Sequence, residues 1–153
     1  GLGVLRTTIP RRTVQVGGKK QCVIINGVID LAGKGRPLPT NGEGSQVRDY
    51  VHVDDVVAAC LAAGAAGRGD GRVLNVGGGT GITFREMAET IIREAAGGTI
   101  VHRPWPEAAA RVETGDFVAD LSLAGEVLGW SPKIPLSAGL RDVVRQYRDR
   151  KGG

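Results

Sequence analysis

Apolar residues recur at intervals of three and four through Phe84, Met87, Ala88, Ile91, Ile92 and Ala95, the spacing that lays one stripe along a helix. Thr83 and Glu86 stand at its start as a capping box, in which hydroxyl and carboxylate satisfy the first backbone donors, and Gly97-Gly98 closes it. A terminal helix is expected from Ser137 to Arg150. Its buried stripe is Leu140, Val143, Val144 and Tyr147, and Arg148, Arg150 and Lys151 meet the negative end of its dipole. A third helix opens at about Asp55, with Asp54 as its cap. Val56, Val57, Cys60, Leu61 and Gly64 form its inner face, and the alanines at 58, 59, 62 and 63 permit close packing. Ser122 can cap a shorter helix ending at Leu128 before Gly129. Strands are expected at Leu2–Leu5, Tyr50–Val53, Arg72–Val76, Thr99–His102 and Phe117–Asp120. Cys22–Ala32 fits strand or helix by pattern alone, and Arg36-Pro37-Leu38-Pro39 ends it. Residues 7–22 show no period, and residues 103–115 read as a loop. Strands alternating with helices make the class α/β.

Composition narrows this picture. A chain of 153 residues suits one domain and buries about 70% of its unfolded surface. The content of 41% apolar and 24% charged residues is that of a soluble globular protein, and 25 glycines imply many tight turns. The net charge of +4 collects at Arg6, Arg11, Arg12, Lys19 and Lys20 and again over 141–151. Such a balance suits an anionic small molecule or a solvated surface. Without aromatic-interleaved basic stripes it does not point to nucleic acid. Cys22 and Cys60 are far apart and read as buried thiols of a cytoplasmic protein. No run of eighteen apolar residues predicts a membrane span, and no signal peptide is visible. A first residue Gly1 and a single methionine, Met87, suggest a piece of something longer.

The densest chemistry lies between Gly42 and Asp55, Gly-Glu-Gly-Ser-Gln-Val-Arg-Asp-Tyr-Val-His-Val-Asp-Asp. A glycine turn, a cation, a strand and an acidic helix start come one after another. The planar fork of Arg48 suits a diphosphate or a ribose edge, or else an ion pair with Asp49 or Glu43. Gly77-Gly78-Gly79-Thr80-Gly81 stands between a strand and a capped helix, the context of a phosphate loop. Ile82 breaks the dinucleotide pattern and no P-loop lysine is present after it, which favours a tight connection. Tyr147 and Lys151 form a Tyr-x-x-x-Lys pair on one helix face, able in principle to exchange a proton during hydride transfer. A core tyrosine beside a solvated lysine explains them more simply. His52 and His102 lack partners at metal-ligand spacing. Trp105 and Trp130 suit packing under loops better than stacking on a base. Asp116 and Asp120 suit strand ends and capping better than paired acid–base work.

Taken as a set, these patterns resemble the NAD-dependent epimerase/dehydratase family, the extended short-chain dehydrogenases acting on nucleotide sugars. The resemblance rests on Gly3-Val4-Leu5-Arg6, Gly42–Asp55, Val73-Leu74-Asn75-Val76-Gly77, Thr83–Ala88 and Arg103-Pro104-Trp105-Pro106. It continues through Gly115–Asp120, Leu128–Lys133 and Leu136–Tyr147. It implies a C-terminal, substrate-binding part of a Rossmann-type α/β fold without the dinucleotide-binding half. In this division residues 1–34 are a weakly matching segment and residues 35–151 the substrate lobe of one partial domain. It implies a helix at Cys22–Ala32. It makes Arg48 a substrate-binding residue, with Arg111 as a second and Arg103 as the competitor for that place. Thr7-Thr8-Ile9-Pro10-Arg11-Arg12 departs from the family pattern, and the family's cofactor loop and Tyr-x-x-x-Lys pair have no credible counterpart here. The resemblance thus implies a chain that holds a nucleotide sugar, binds no cofactor by itself though its family uses NAD, and is inactive alone. It would be cytoplasmic and self-associating, with neither nucleic acid nor membrane as partner. The other reading is a non-catalytic remnant or self-associating interaction module on the same scaffold.

Overall fold

The structure is a computed structural model and describes residues 4–6, 14–16, 19–21, 24–65, 69, 71–111 and 115–149. In chain order the elements are β1 (Val4–Arg6), β2 (Val14–Val16), β3 (Lys19–Gln21), α1 (Ile24–Gly33), β4 (Pro37–Asn41), β5 (Val47–Asp49) and α2 (Val53–Ala65). They continue as β6 (Val73–Asn75), β7 (Gly81–Thr83), α3 (Phe84–Ala95), β8 (Thr99–Arg103), α4 (Glu107–Ala110), α5 (Ser122–Leu128) and α6 (Leu136–Asp149). The α/β class expected from the alternation is what forms. The described residues fall into two compact units, each assembled from separate stretches of chain.

The first unit holds β1, β5, α2, β6 and α5. β1 and β6 pair in parallel, Val4 opposite Val73 and Arg6 opposite Asn75. α2, β6 and α5 enclose a core of Val56, Ala59, Leu74, Val76, Ala124, Val127 and Trp130, with Val51, Leu121 and Leu128 packed at its margin. α2 does not bury the face that its apolar residues suggested. Asp55, Val56 and Ala59 face inward, whereas Val53, Val57 and Leu61 are 57%, 50% and 71% exposed. The helix is apolar on two sides, so counting apolar positions could not choose between them. Cys60 is exposed, contrary to the expectation of a buried thiol; Cys22 lies outside the described residues. The expected strand at Tyr50–Val53 forms three residues earlier, as β5, and Val53 already belongs to α2. Phe117–Asp120 forms no strand. Asp120, rather than Ser122, closes the front of α5: its Oδ1 accepts the Ser122 N–H at 2.9 Å, and Leu121 at the cap position makes no side-chain bond. Hydrogen bonds from the Ser122 side chain and backbone hold the Asp120 carboxyl below its ordinary range. Gly129 ends the helix at φ 62°, as expected.

The second unit holds the antiparallel hairpin β2–β3, α1, β4, α3, β8, α4 and α6 from Leu140 onward. α1 realises the helical reading of the Cys22–Ala32 stretch. α1 packs on α3 and β4, and α3 on β8. β4 is a strand where two prolines argued for a stop. It runs parallel to β8, with Leu38 opposite Ile100 and Thr40 opposite His102. Pro37 and Pro39 share one parity, so the alternate donors of Leu38 and Thr40 remain for the ladder, and proline is tolerated on a strand with one neighbour. α3 has its capping box: Thr83 Oγ1 accepts the Glu86 N–H at 3.1 Å, and the Glu86 carboxylate accepts the Thr83 N–H at 2.8 Å. Hydrogen bonds from Thr83 hold the Glu86 carboxyl below its ordinary value, so its cap is complete at neutral pH and is lost only on acidification through that lowered value. The helix ends on Ala96 in the left-handed region, φ 53°, not on a glycine. Gly97 and Gly98 serve close approach instead: a Cβ on Gly97 would stand 2.9 Å from the Ala32 carbonyl oxygen, and one on Gly98 2.9 Å from Leu38 Cδ1. In α6, Leu140 and Val144 are buried. Arg148 donates to the Glu94 carbonyl at 2.9 Å, satisfying the last turn of α3 rather than that of its own helix.

Candidate functional site

Arg48 is the middle residue of β5, and successive strand residues face opposite ways. The alternation Val47, Asp49, Val51 therefore aims an acid toward the packed side. Asp49 is 6% exposed. Its Oδ1 accepts the Gly78 N–H at 2.6 Å, and its Oδ2 accepts those of Gly79 at 3.1 Å and Ala119 at 3.0 Å. A buried carboxylate requires partners of this kind, and here they come from two loops far away in sequence. Two further bonds dock the 116–117 segment on the strand: the Val47 N–H to Asp116 Oδ1 at 2.8 Å and the Phe117 N–H to the Val47 carbonyl at 3.2 Å.

The guanidinium of Arg48 is half-buried, and its Nη1 donates to the same Val47 carbonyl at 2.8 Å. The two acids that its sequence neighbourhood offered as ion-pair partners have other tasks: Asp49 serves the three amides, and Glu43 pairs with Arg85 at 2.5 Å. Next along the chain, burial pushes the Tyr50 phenol above its ordinary value, and the nearby positive charge of Arg48 partly offsets this. Tyr50 is thus neutral at physiological pH, a polar group beside a cation.

The glycine turn is explained by the same carboxylate. A Cβ on Gly77 would fall 2.5 Å from Asp49 Oδ2, and one on Gly78 would fall 2.2 Å from the Tyr50 carbonyl oxygen. Gly79 adopts φ 69°. Two successive turn amides aimed at one anion form the cradle that phosphate loops use, but the anion is the chain's own Asp49. The turn leads into β7 before α3 begins. With Asp49 in the cradle, the residues of this turn do not fit a dinucleotide phosphate.

Arg111 and Arg103 belong to the second unit, Arg48 to the first. Arg111 comes just after the single turn α4 and pairs with Glu107 four residues earlier, both side chains largely exposed. Arg103 ends β8, and its carbonyl accepts the Gly42 N–H at 2.7 Å. Tyr147 donates its hydroxyl to Asp30 and lies over Gly33. That bond ties α6 to α1 and gives the phenol a structural task; Lys151 lies outside the described residues. His102 meets Thr40 Oγ1 and the Gly42 carbonyl, each at 3.0 Å from its Nδ1. His52 Nδ1 accepts the Asp54 N–H at 3.2 Å at the front of α2. Among the described residues no three His, Cys, Asp or Glu side chains gather as a metal site, and no helix is long and apolar enough to cross a membrane.

Asp54, the expected helix cap, lies exposed within α2. Asp55 carries the structural role: it is 4% exposed, and its two oxygens accept the N–H groups of Lys133 at 2.9 Å and Ile134 at 3.0 Å. Its carbonyl accepts the Trp130 indole N–H at 3.0 Å, which makes Trp130 a core residue. In the sequence Asp49 stands out only as a neighbour of Arg48. The available signal was its parity with Val47 and Val51, because an acid on the apolar side of a strand must be satisfied by the fold.

The model of the NAD dependent epimerase/dehydratase family matches residues 6–77, a span that contains β5, Arg48 and Asp49. By this match the chain is similar to members of that family. A UDP-glucose 4-epimerase of Mycolicibacterium smegmatis is 36% identical over 116 residues, 76% of this chain and 36% of that protein. A dTDP-glucose 4,6-dehydratase of Streptomyces niveus is 33% identical over 119 residues, 76% of this chain and 34% of that protein. Among solved structures, a UDP-glucose 4-epimerase of Thermotoga maritima, determined with UDP-glucose, superposes with a TM-score of 0.75 at 29% identity. It covers 97% of this chain, which covers 45% of it. The chain therefore spans little more than a third of the length of the curated relatives it matches. Arg111 lies beyond the span matched by the family model.

Proposed function

We propose that this chain is the nucleotide-sugar-holding part of an NAD-dependent sugar epimerase or dehydratase, with Arg48 meeting the diphosphate or ribose of the substrate. The observation that carries the reading is the setting of Arg48. It is a guanidinium inside the family match, on a strand braced by a buried carboxylate that is itself committed to three amides. Arg111 is a second contact in this reading. The NAD and the proton-transferring pair of the family come from outside these 153 residues, so the chain alone gives no turnover with NAD and a nucleotide sugar. A charged hydrogen bond contributes roughly 1.5–3 kcal/mol. Arg48→Ala is accordingly expected to weaken UDP-glucose binding by about 10–100-fold in a titration, and Arg48→Lys to recover only part because it lacks the fork. Equal affinity of Arg48→Ala and the unaltered chain would remove the basis of the reading.

A second reading, a self-associating interaction module, is favoured by the α2 face of Val53, Val57 and Leu61. Light scattering across a concentration series is expected to show species larger than one chain, and substituting Val57 and Leu61 together by serine to reduce them. A clean monomer at every concentration contradicts this reading.

A further inference from the structure

We propose that Asp49 is a positioning residue for Arg48: the carboxylate seated in the Gly77–Gly79 turn holds the plane from which the guanidinium faces its ligand. This rests on the reading of Arg48 as a nucleoside-diphosphate contact.

β5 is only three residues long, so its own ladder pins it weakly. Its orientation comes from side-chain anchors. Asp49 collects amides from the glycine turn and from Ala119. The fit on the glycine side is close enough that a Cβ on Gly78 would stand 2.7 Å from Asp49 Oδ1. A strand whose inward side chain is fixed at three points has little freedom to rotate, which sets the direction of the adjacent outward side chain. The Arg48 head group is tied down consistently with this. Nη1 is held by the Val47 carbonyl, and that carbonyl also accepts the Phe117 N–H. Preorganisation of this kind removes part of the ordering cost of binding a diphosphate. The anchor has to be a carboxylate, because all three neighbours are donors and an amide would turn its own N–H groups toward at least one of them.

The test is a double-variant cycle on the full chain, with UDP as the probe in a calorimetric titration and circular dichroism as the check on folding. Asp49→Asn is expected to weaken UDP about 5–10-fold in the otherwise unaltered chain. In the Arg48→Ala background it is expected to add nothing, since a residue that acts through Arg48 has no target once Arg48 is gone. A merely stabilising residue would weaken both backgrounds equally, and that result overturns the positioning role while leaving Arg48 intact. So does a folded Asp49→Asn chain that binds UDP normally while Arg48→Ala does not. If Arg48→Ala itself binds normally, the parent reading falls and this inference with it. Should Asp49→Asn fail to fold, Asp49→Ala in formate carries the comparison. Formate returns a carboxylate to the cradle and is expected to restore UDP binding toward the unaltered level only when Arg48 is present. Failure of this variant to fold in formate makes Asp49 a folding residue and overturns the assignment.

Discussion

Asp55→Ala is expected to lower the stability of the chain by about 3–5 kcal/mol. The substitution leaves two backbone donors, Lys133 N–H and Ile134 N–H, without the buried carboxylate they share. Each orphaned donor costs about 1–3 kcal/mol, with more lost where the acceptor is charged. The vacated space at a 4% exposed position adds a packing loss. Because the Asp55 carbonyl also holds the indole of Trp130, loosening of α2 against the 130–134 segment is readable as a red shift of Trp130 fluorescence during urea unfolding. Asp55→Asn is expected to fall between, since its one carbonyl oxygen serves one amide while its N–H group faces the other. The neighbouring Asp54→Ala, on an exposed side chain, is expected to change stability by about 1 kcal/mol or less. Equal effects at 54 and 55 would contradict this division of labour between the two acids.

Gly78→Ala is expected to cost about 3 kcal/mol or more, for a reason unrelated to backbone flexibility. The added methyl would lie 2.2 Å from the Tyr50 carbonyl oxygen and 2.7 Å from Asp49 Oδ1. The first of these is main chain and the second belongs to a carboxylate held by three hydrogen bonds, so neither can yield cheaply. Two other glycines separate this cause from the alternatives. Gly71 has open space around it but a φ of 74°, so Gly71→Ala is expected to cost only about 1–2 kcal/mol from the left-handed backbone. Gly64 has open space and lies within α2, so Gly64→Ala is expected to stabilise by about 0.5–1 kcal/mol through helix propensity. Urea midpoints for the three variants give the order directly, and Gly78→Ala as mild as Gly71→Ala would show that the turn can move away from β5.

Elements whose signal is local were legible in the chain. The capping box and stripe of α3, the span of α5 with its glycine stop and the burial of Leu140 and Val144 in α6 arise from side chains interacting within about a turn of helix. Other elements depend on partners distant in the chain. α2 presents apolar residues on two sides, and only its packing against β6 and α5 decides that Val56 and Ala59 go in while Val57 and Leu61 stay out. Pro37 and Pro39 suggested a break, and only β8 alongside makes a strand there. Tyr50–Val53 alternates in the sequence, whereas Val47–Asp49 holds one apolar residue and two charges, so the pattern points to the later run. The ladder and the anchors at Asp49 select the earlier register.

The sequence by itself determined the α/β class, the principal helices, the likeness to the epimerase/dehydratase family and the nomination of Arg48. These depend on residue type, on periodicity over a few residues, and on motif order, all of which are written along the chain. The tertiary structure alone decided which acids of the Gly42–Asp55 run are buried, Asp49 and Asp55. Asp49 closes onto Gly78, Gly79 and Ala119, and Asp55 onto Lys133 and Ile134. Those partners stand 29 to 79 residues away. A carboxylate keeps its charge in a buried place only when distant amides converge on it, and that convergence exists only in the folded chain.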